Sequence, residues 1–197
     1  MGLFCDILKF FSQLILMERG FPYYPVFVYG SLMSGFDNFN KLFSHKLEYI
    51  FSGEFKNGVL VHYKDDIPKP GQEKGFTDII ESGFNSEPIY GELLYIKKNM
   101  YRQVIKKMDK LIGSSGCKSS NNLYNRCVRD ITKIDGSVVK AWMYFGTYKL
   151  HINKSYRKRL VIYNCNNWKK YLYSLTDKDD KQNYARLYPY IEVEEAM

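Results

Sequence analysis

The sequence predicts an α+β fold in one domain: six or more strands, largely antiparallel, with one strong internal helix. Three observations carry this. Aromatic residues make up 17% of the chain, led by 18 Tyr, and Tyr and Phe favour the pleated, half-buried surface of a strand. Short apolar runs alternate with breaks containing Gly, Asn or Pro, which is the punctuation of strands and turns. One internal segment keeps a helical period over several turns. At 197 residues the chain is long enough for one domain with a real core and short for two.

The elements follow in order. Residues 3–17 read LFCDILKFFSQLILM, with Phe4, Ile7, Leu8, Phe11, Leu14 and Ile15 at helical spacing. This predicts an amphipathic N-terminal helix within residues 1–20, ahead of a single domain over 21–197. Asp6 and Lys9 interrupt the run, which is too short to span a bilayer. It lacks the basic flank and cleavage site of a signal peptide, and Asp6 breaks the myristoylation pattern. Its apolar face can rest on the domain, on a second copy of the chain in a homodimer, or on a membrane surface.

Pro25 to Tyr29 is a continuous apolar run ending at Gly30, read as a buried strand. Asp37 to Phe43 reads as one or two helical turns, and residues 46–55 as a strand. Asn57-Gly58 is a hairpin signal, with residues 59–63 as the expected partner strand. Lys64 to Gly75 is a long polar loop. Phe76 to Ile80 and Ile89 to Ile96 are further strands. Met100, Val104, Ile105, Met108, Leu111 and Ile112 mark the helix, which Gly113 is placed to end. Residues 123–134 and 137–145 form a hairpin through Asp135-Gly136. Leu160 to Tyr163 reads as an edge strand, and Asn167 to Leu175 as a helix.

The net charge of +8 fits an anionic partner or a solvated Lys-rich surface. Much of it gathers in Lys149, Lys154, Arg157, Lys158 and Arg159, either a solvated face or a phosphate-attracting rim. Cys5, Cys117, Cys127 and Cys165 form no CxxC pair, and His45, His62 and His151 are scattered. Neither set has metal-ligand spacing. No metal, nicotinamide or flavin cofactor is expected, and free thiols fit a reducing, cytoplasmic setting.

The most specific stretch is Val26-Phe27-Val28-Tyr29-Gly30-Ser31-Leu32-Met33-Ser34-Gly35-Phe36-Asp37-Asn38. A buried strand running into a Gly-containing turn brings successive backbone N–H groups together, and such groups form a nest for a carboxylate or phosphate. The string VFVYGSL-x-x-G-x-x-N resembles the opening of the γ-glutamylcyclotransferase-like (AIG2-like) family. Further landmarks follow collinearly: Gly91-Glu92-Leu93-Leu94-Tyr95 for a "GELY" strand, Met108-Asp109 for a helical "LD" pair, Tyr124-Asn125-Arg126 for "Y-x-R", Ala141-Trp142-Met143-Tyr144 for "A-x-x-Y", and Asn167-Trp168 for a late "DW". The resemblance implies a small mixed β-barrel of about six strands with flanking helices. It also implies that Tyr29, Gly30, Ser31 and Leu32 hold a γ-glutamyl moiety, with Tyr124 lining the same pocket.

The family reaction, as the resemblance implies it, is attack by the α-amine of a γ-glutamyl group on its own γ-carbonyl. It gives 5-oxoproline and a free amine, and one carboxylate shuttles the proton. The family places that carboxylate three residues after the Asp of "LD", where this chain has Ile112. An Ile side chain transfers no proton, so whether the chain is an enzyme is left open, and Ile112 is expected to make one wall of the pocket apolar. Asp109, Glu81, Glu87 and Glu92 are the candidate substitutes. The expectation is a binding, sequestering or sensing protein for a small anionic molecule, either a γ-glutamyl compound or a nucleotide-like metabolite. An active cyclotransferase with a displaced carboxylate, and an interaction protein using its basic surface and N-terminal helix, are the alternatives.

Overall fold

The wholly apolar triplet Val26–Val28 forms β1 at the centre of the core, where all three side chains are buried. The computed structural model describes residues 23–63, 76–81, 87–116, 119–148, 160–162 and 166–174. The expected N-terminal helix, the 64–75 loop and the basic segment 149–159 lie outside them. After β1 come α1 (Asp37–Phe43), β2 (Leu47–Phe55), β3 (Gly58–Tyr63), β4 (Phe76–Glu81) and β5 (Ile89–Ile96). Then follow α2 (Tyr101–Ile112), β6 (Tyr124–Lys133), β7 (Val138–Gly146), β8 (Leu160–Ile162) and α3 (Trp168–Ser174).

Five strands close a barrel in the order β1-β5-β2-β6-β7, and the other three form a sheet ordered β4-β3-β8. Every neighbouring pair in the barrel is antiparallel except its seam, where β1 lies parallel to β7 at Val26 and Trp142. The fold is therefore the α+β mixed barrel expected, with five barrel strands rather than about six.

The difference traces to Asn57-Gly58, which does not make a hairpin. At its C-terminal end β2 has both edges filled: Glu54 lies opposite Tyr90 of β5 and Thr132 of β6. With no edge left to pair, the chain leaves the barrel at Asn57 (φ 71°), and β3 pairs with β4 and β8 instead. The Asp135-Gly136 hairpin forms as expected, with β6 and β7 in register from Tyr124–Gly146 to Thr132–Val138.

Helix α2 buries Tyr101, Val104, Ile105 and Met108, one face at helical spacing. Gly113 ends it in the left-handed conformation (φ 72°). The last two members of the apolar stripe depart from the core: Leu111 is exposed and Ile112 half-buried. Tyr101 pins the helix to the barrel, donating from its hydroxyl to the Tyr24 carbonyl at 2.7 Å and accepting from Trp142 Nε1 at 3.1 Å. Helix α3 buries Trp168 and Leu172, with the Trp168 ring against His62 of β3, 4.6 Å between centroids. Among the described residues no helix is long and apolar enough to cross a membrane.

Candidate functional site

At the end of β1 the chain turns at Tyr29–Met33, closed by a hydrogen bond from the Met33 N–H to the Gly30 carbonyl at 2.9 Å. Strand β4 crosses directly against this turn. A Cβ at residue 30 would sit 1.8 Å from Thr77 Oγ1 and 3.0 Å from Thr77 Cβ, so only glycine lets turn and strand approach so closely. The Ser31 hydroxyl accepts from Asn38 Nδ2 of α1 at 3.3 Å.

The turn forms one wall of a cavity of 320 Å³. All six residues singled out in the sequence line it: Tyr29, Gly30, Ser31, Leu32, Ile112 and Tyr124. Phe27, Val28, Asn38, Thr77, Leu111, Leu123 and Tyr144 complete the lining. Two of these had a signal in the sequence. Asn38 closes the quoted VFVYGSL-x-x-G-x-x-N string, and Tyr144 ends "A-x-x-Y". Thr77 had none, because its place depends on a strand from the other sheet.

Two of the phenols in the lining are tied to backbone carbonyls. The Tyr29 hydroxyl is donated to the Tyr144 carbonyl, and the Tyr124 hydroxyl to the Thr77 carbonyl at 3.1 Å. Burial, together with the nearby charge of Asp78, pushes the Tyr29 phenol well above its ordinary range. It therefore stays a neutral donor. The backbone N–H groups of Ser31 and Leu32 make no hydrogen bond among the described residues, so the turn is where the wall still offers donors. Leu111, Ile112 and Leu123 add apolar lining. Among the described residues no Asp, Glu, Lys, Arg or His lines the cavity.

Asp109 lies one step behind the wall. Its carboxylate accepts from the Tyr144 hydroxyl at 2.7 Å and from Arg126 Nη1 at 2.9 and 3.2 Å. The Arg126 guanidinium is buried and stacks over Trp142, 5.0 Å from the ring centroid. Three landmarks that are separate in the sequence, "LD", "Y-x-R" and "A-x-x-Y", thus meet in one network. Burial pushes the Asp109 carboxyl upward, against the lowering pull of the Tyr144 hydroxyl and the Arg126 charge. Burial and the neighbouring Asp109 charge push the Tyr144 phenol well up.

The other candidate carboxylates are engaged elsewhere. Glu81 forms an exposed ion pair with Arg129, 2.6 Å between Oε1 and Nε. Glu87 accepts from Asn166 Nδ2 at 3.2 Å. Glu92, which strand alternation would turn to solvent, is instead 7% exposed and bound to Ser34 and Lys169. Asp78, not anticipated, is fully buried beside the turn. Its Oδ1 accepts from the Ile79 and Gly146 N–H groups, each at 2.7 Å. Within FTDII it reads as an ordinary outward strand position, so no local signal marks it. Among the described residues no group of three His, Cys, Asp or Glu is placed to hold a metal ion.

Residues 26–170 match the family model described as gamma-glutamyl cyclotransferase, AIG2-like. No curated protein sequence matches the chain. Solved structures similar to it include the Bacillus subtilis protein YkqA (15% identity, TM-score 0.43, covering 75% of this chain and 40% of that one). A mouse AIG2-like protein is 14% identical, with a TM-score of 0.47 over 74% of this chain and 87% of its own. A yeast γ-glutamyl cyclotransferase specific to glutathione is 12% identical, with a TM-score of 0.46 over 83% and 93%. Likeness at this level adds nothing to the family match.

Proposed function

The chain belongs to the gamma-glutamyl cyclotransferase, AIG2-like family, and from that premise we propose that its cavity binds a small anionic molecule at the Tyr29–Leu32 turn without the cyclisation chemistry of the family. The turn supplies unbonded amides for a carboxylate. The apolar lining supplied by Leu111, Ile112 and Leu123 favours an apolar or planar group on the ligand. The observation that carries the reading is that no described carboxylate lines the cavity. A positioned acid–base group is typically worth about a hundred- to ten-thousand-fold in rate, and among the described residues no carboxylate or imidazole is part of the lining. A γ-glutamyl compound fits this description best. A nucleotide-like ligand would need the basic segment 149–159, which lies outside the described residues.

A second reading has one observation in its favour. Tyr144 both lines the cavity and donates to Asp109, so a proton leaving a substrate amine has a route to a carboxylate through a phenol. Against it, Arg126 engages that carboxylate with two hydrogen bonds, and its charge lowers the basicity that burial raises.

Release of 5-oxoproline from a panel of γ-glutamyl amines and peptides separates the two when wild type is compared with Ile112→Glu. A silent wild type and an active variant are expected. Turnover by the wild type that disappears in Tyr144→Phe would replace the binding reading with the second one.

A further inference from the structure

Glu92 closes the binding turn from both sides. Its backbone pairs with Val28, the last strand residue before Tyr29. Its carboxylate reaches past the turn to Ser34, accepting the Ser34 N–H at Oε2 and the Ser34 hydroxyl at Oε1, both at 2.6 Å. Residues 29–33 are thereby strung between two attachments to one residue. Lys169 of α3 completes the arrangement from the far end of the chain. Its Nζ lies 2.7 Å from Glu92 Oε1 and 3.1 Å from Ser34 Oγ. The Lys169 and Glu92 side chains are 7% and 9% exposed. The backbone brings the two strands of chain together here as well, the Tyr90 N–H donating to the Asn166 carbonyl at 2.9 Å.

A buried ion pair is a poor source of net stability, because desolvating both charges offsets most of their attraction, and its best-attested use is to select one arrangement over its competitors. None of Ser34, Glu92 and Lys169 lines the cavity, yet they fix both ends of the segment whose amides line it. Resting on the reading that this turn holds the ligand, we propose that Glu92 and Lys169 are positioning residues of the cavity, and that docking of α3 sets the geometry of the Tyr29–Leu32 amides.

The test uses the full chain, labelled with 15N, and follows backbone order parameters at Gly30, Ser31 and Leu32 together with a titration by 5-oxoproline. Ser34→Ala removes one hydroxyl and leaves the ion pair in place, so it is the variant least prone to misfold. It should lower the order parameters of the turn and weaken 5-oxoproline about fivefold, with a melting temperature close to wild type. Lys169→Met should loosen the turn further, and Lys169→Arg, which keeps the charge, should restore it. A turn as rigid in Ser34→Ala and Lys169→Met as in the wild type, with only the melting temperature changed, would overturn the proposal. If the turn loosens as expected while 5-oxoproline moves no amide even in the wild type, the positioning role stands and the binding reading falls.

Discussion

Gly30 is held against Thr77 so closely that its missing side chain is the condition for the site. In Gly30→Ala the added Cβ meets Thr77 Oγ1 at 1.8 Å, and either the turn or β4 must move. Overpacking of this kind costs about 1–3 kcal/mol. Thr77→Ala in the same chain removes the clashing hydroxyl. Thermal or denaturant unfolding of the two single variants and the double should therefore show a favourable coupling on the order of 1 kcal/mol or more. Independent, additive losses would mean that the two residues do not confront each other. This contact also marks what one residue reveals in a sequence. The glycine was conspicuous in YGSL, and its turn was expected. Its reason was not legible, because Thr77 reaches it from a strand that no local pattern ties to β1.

Helix α2 was the most legible element, since its apolar period follows from burying one face, and the structure buries Tyr101, Val104, Ile105 and Met108 there. Met108 is fully buried, and Met108→Ala should cost about 2–5 kcal/mol, measured by denaturant titration. Leu111→Ala, at an exposed position on the cavity rim, should change stability by about 0.5 kcal/mol or less. The same period that placed the helix also set Leu111 and Ile112 on the apolar stripe. It could not say that the barrel stops short of them, leaving them to a cavity. The Asn57-Gly58 reading failed for a related reason. That dipeptide reports a favourable local turn, whereas pairing depends on whether a neighbouring edge is vacant, and β5 and β6 occupy it. The Glu92–Lys169 pair was beyond reach on the same ground, being 77 residues apart in sequence.

Across the whole molecule, Asp78 ties the second sheet to the barrel, one carboxylate oxygen accepting from Ile79 in β4 and Gly146 in β7. Burial raises its carboxyl from 3.8 to about 7, against the lowering effect of those two amides. The folded chain thus keeps a proton that the unfolded chain has already lost. Its contribution to stability is fully present below about pH 4, declines as pH rises through about 7, and is flat beyond. The shift sets a ceiling of about 4 kcal/mol on that decline. Asp78→Asn should flatten the stability profile between pH 4 and 7, followed by denaturant titration across that range. A profile unchanged by the substitution would assign the pH dependence to other groups. The parallel seam of the barrel bears on how the chain comes into being. Synthesised from its N-terminus, β1 can find β5 early, but its other edge stays bare until Trp142 has emerged to cover Val26. A nascent chain stalled before that point carries a wholly apolar strand with an open edge, a form disposed to aggregate or to engage a chaperone. Premature termination upstream of residue 142 should therefore yield an insoluble fragment rather than a shortened protein.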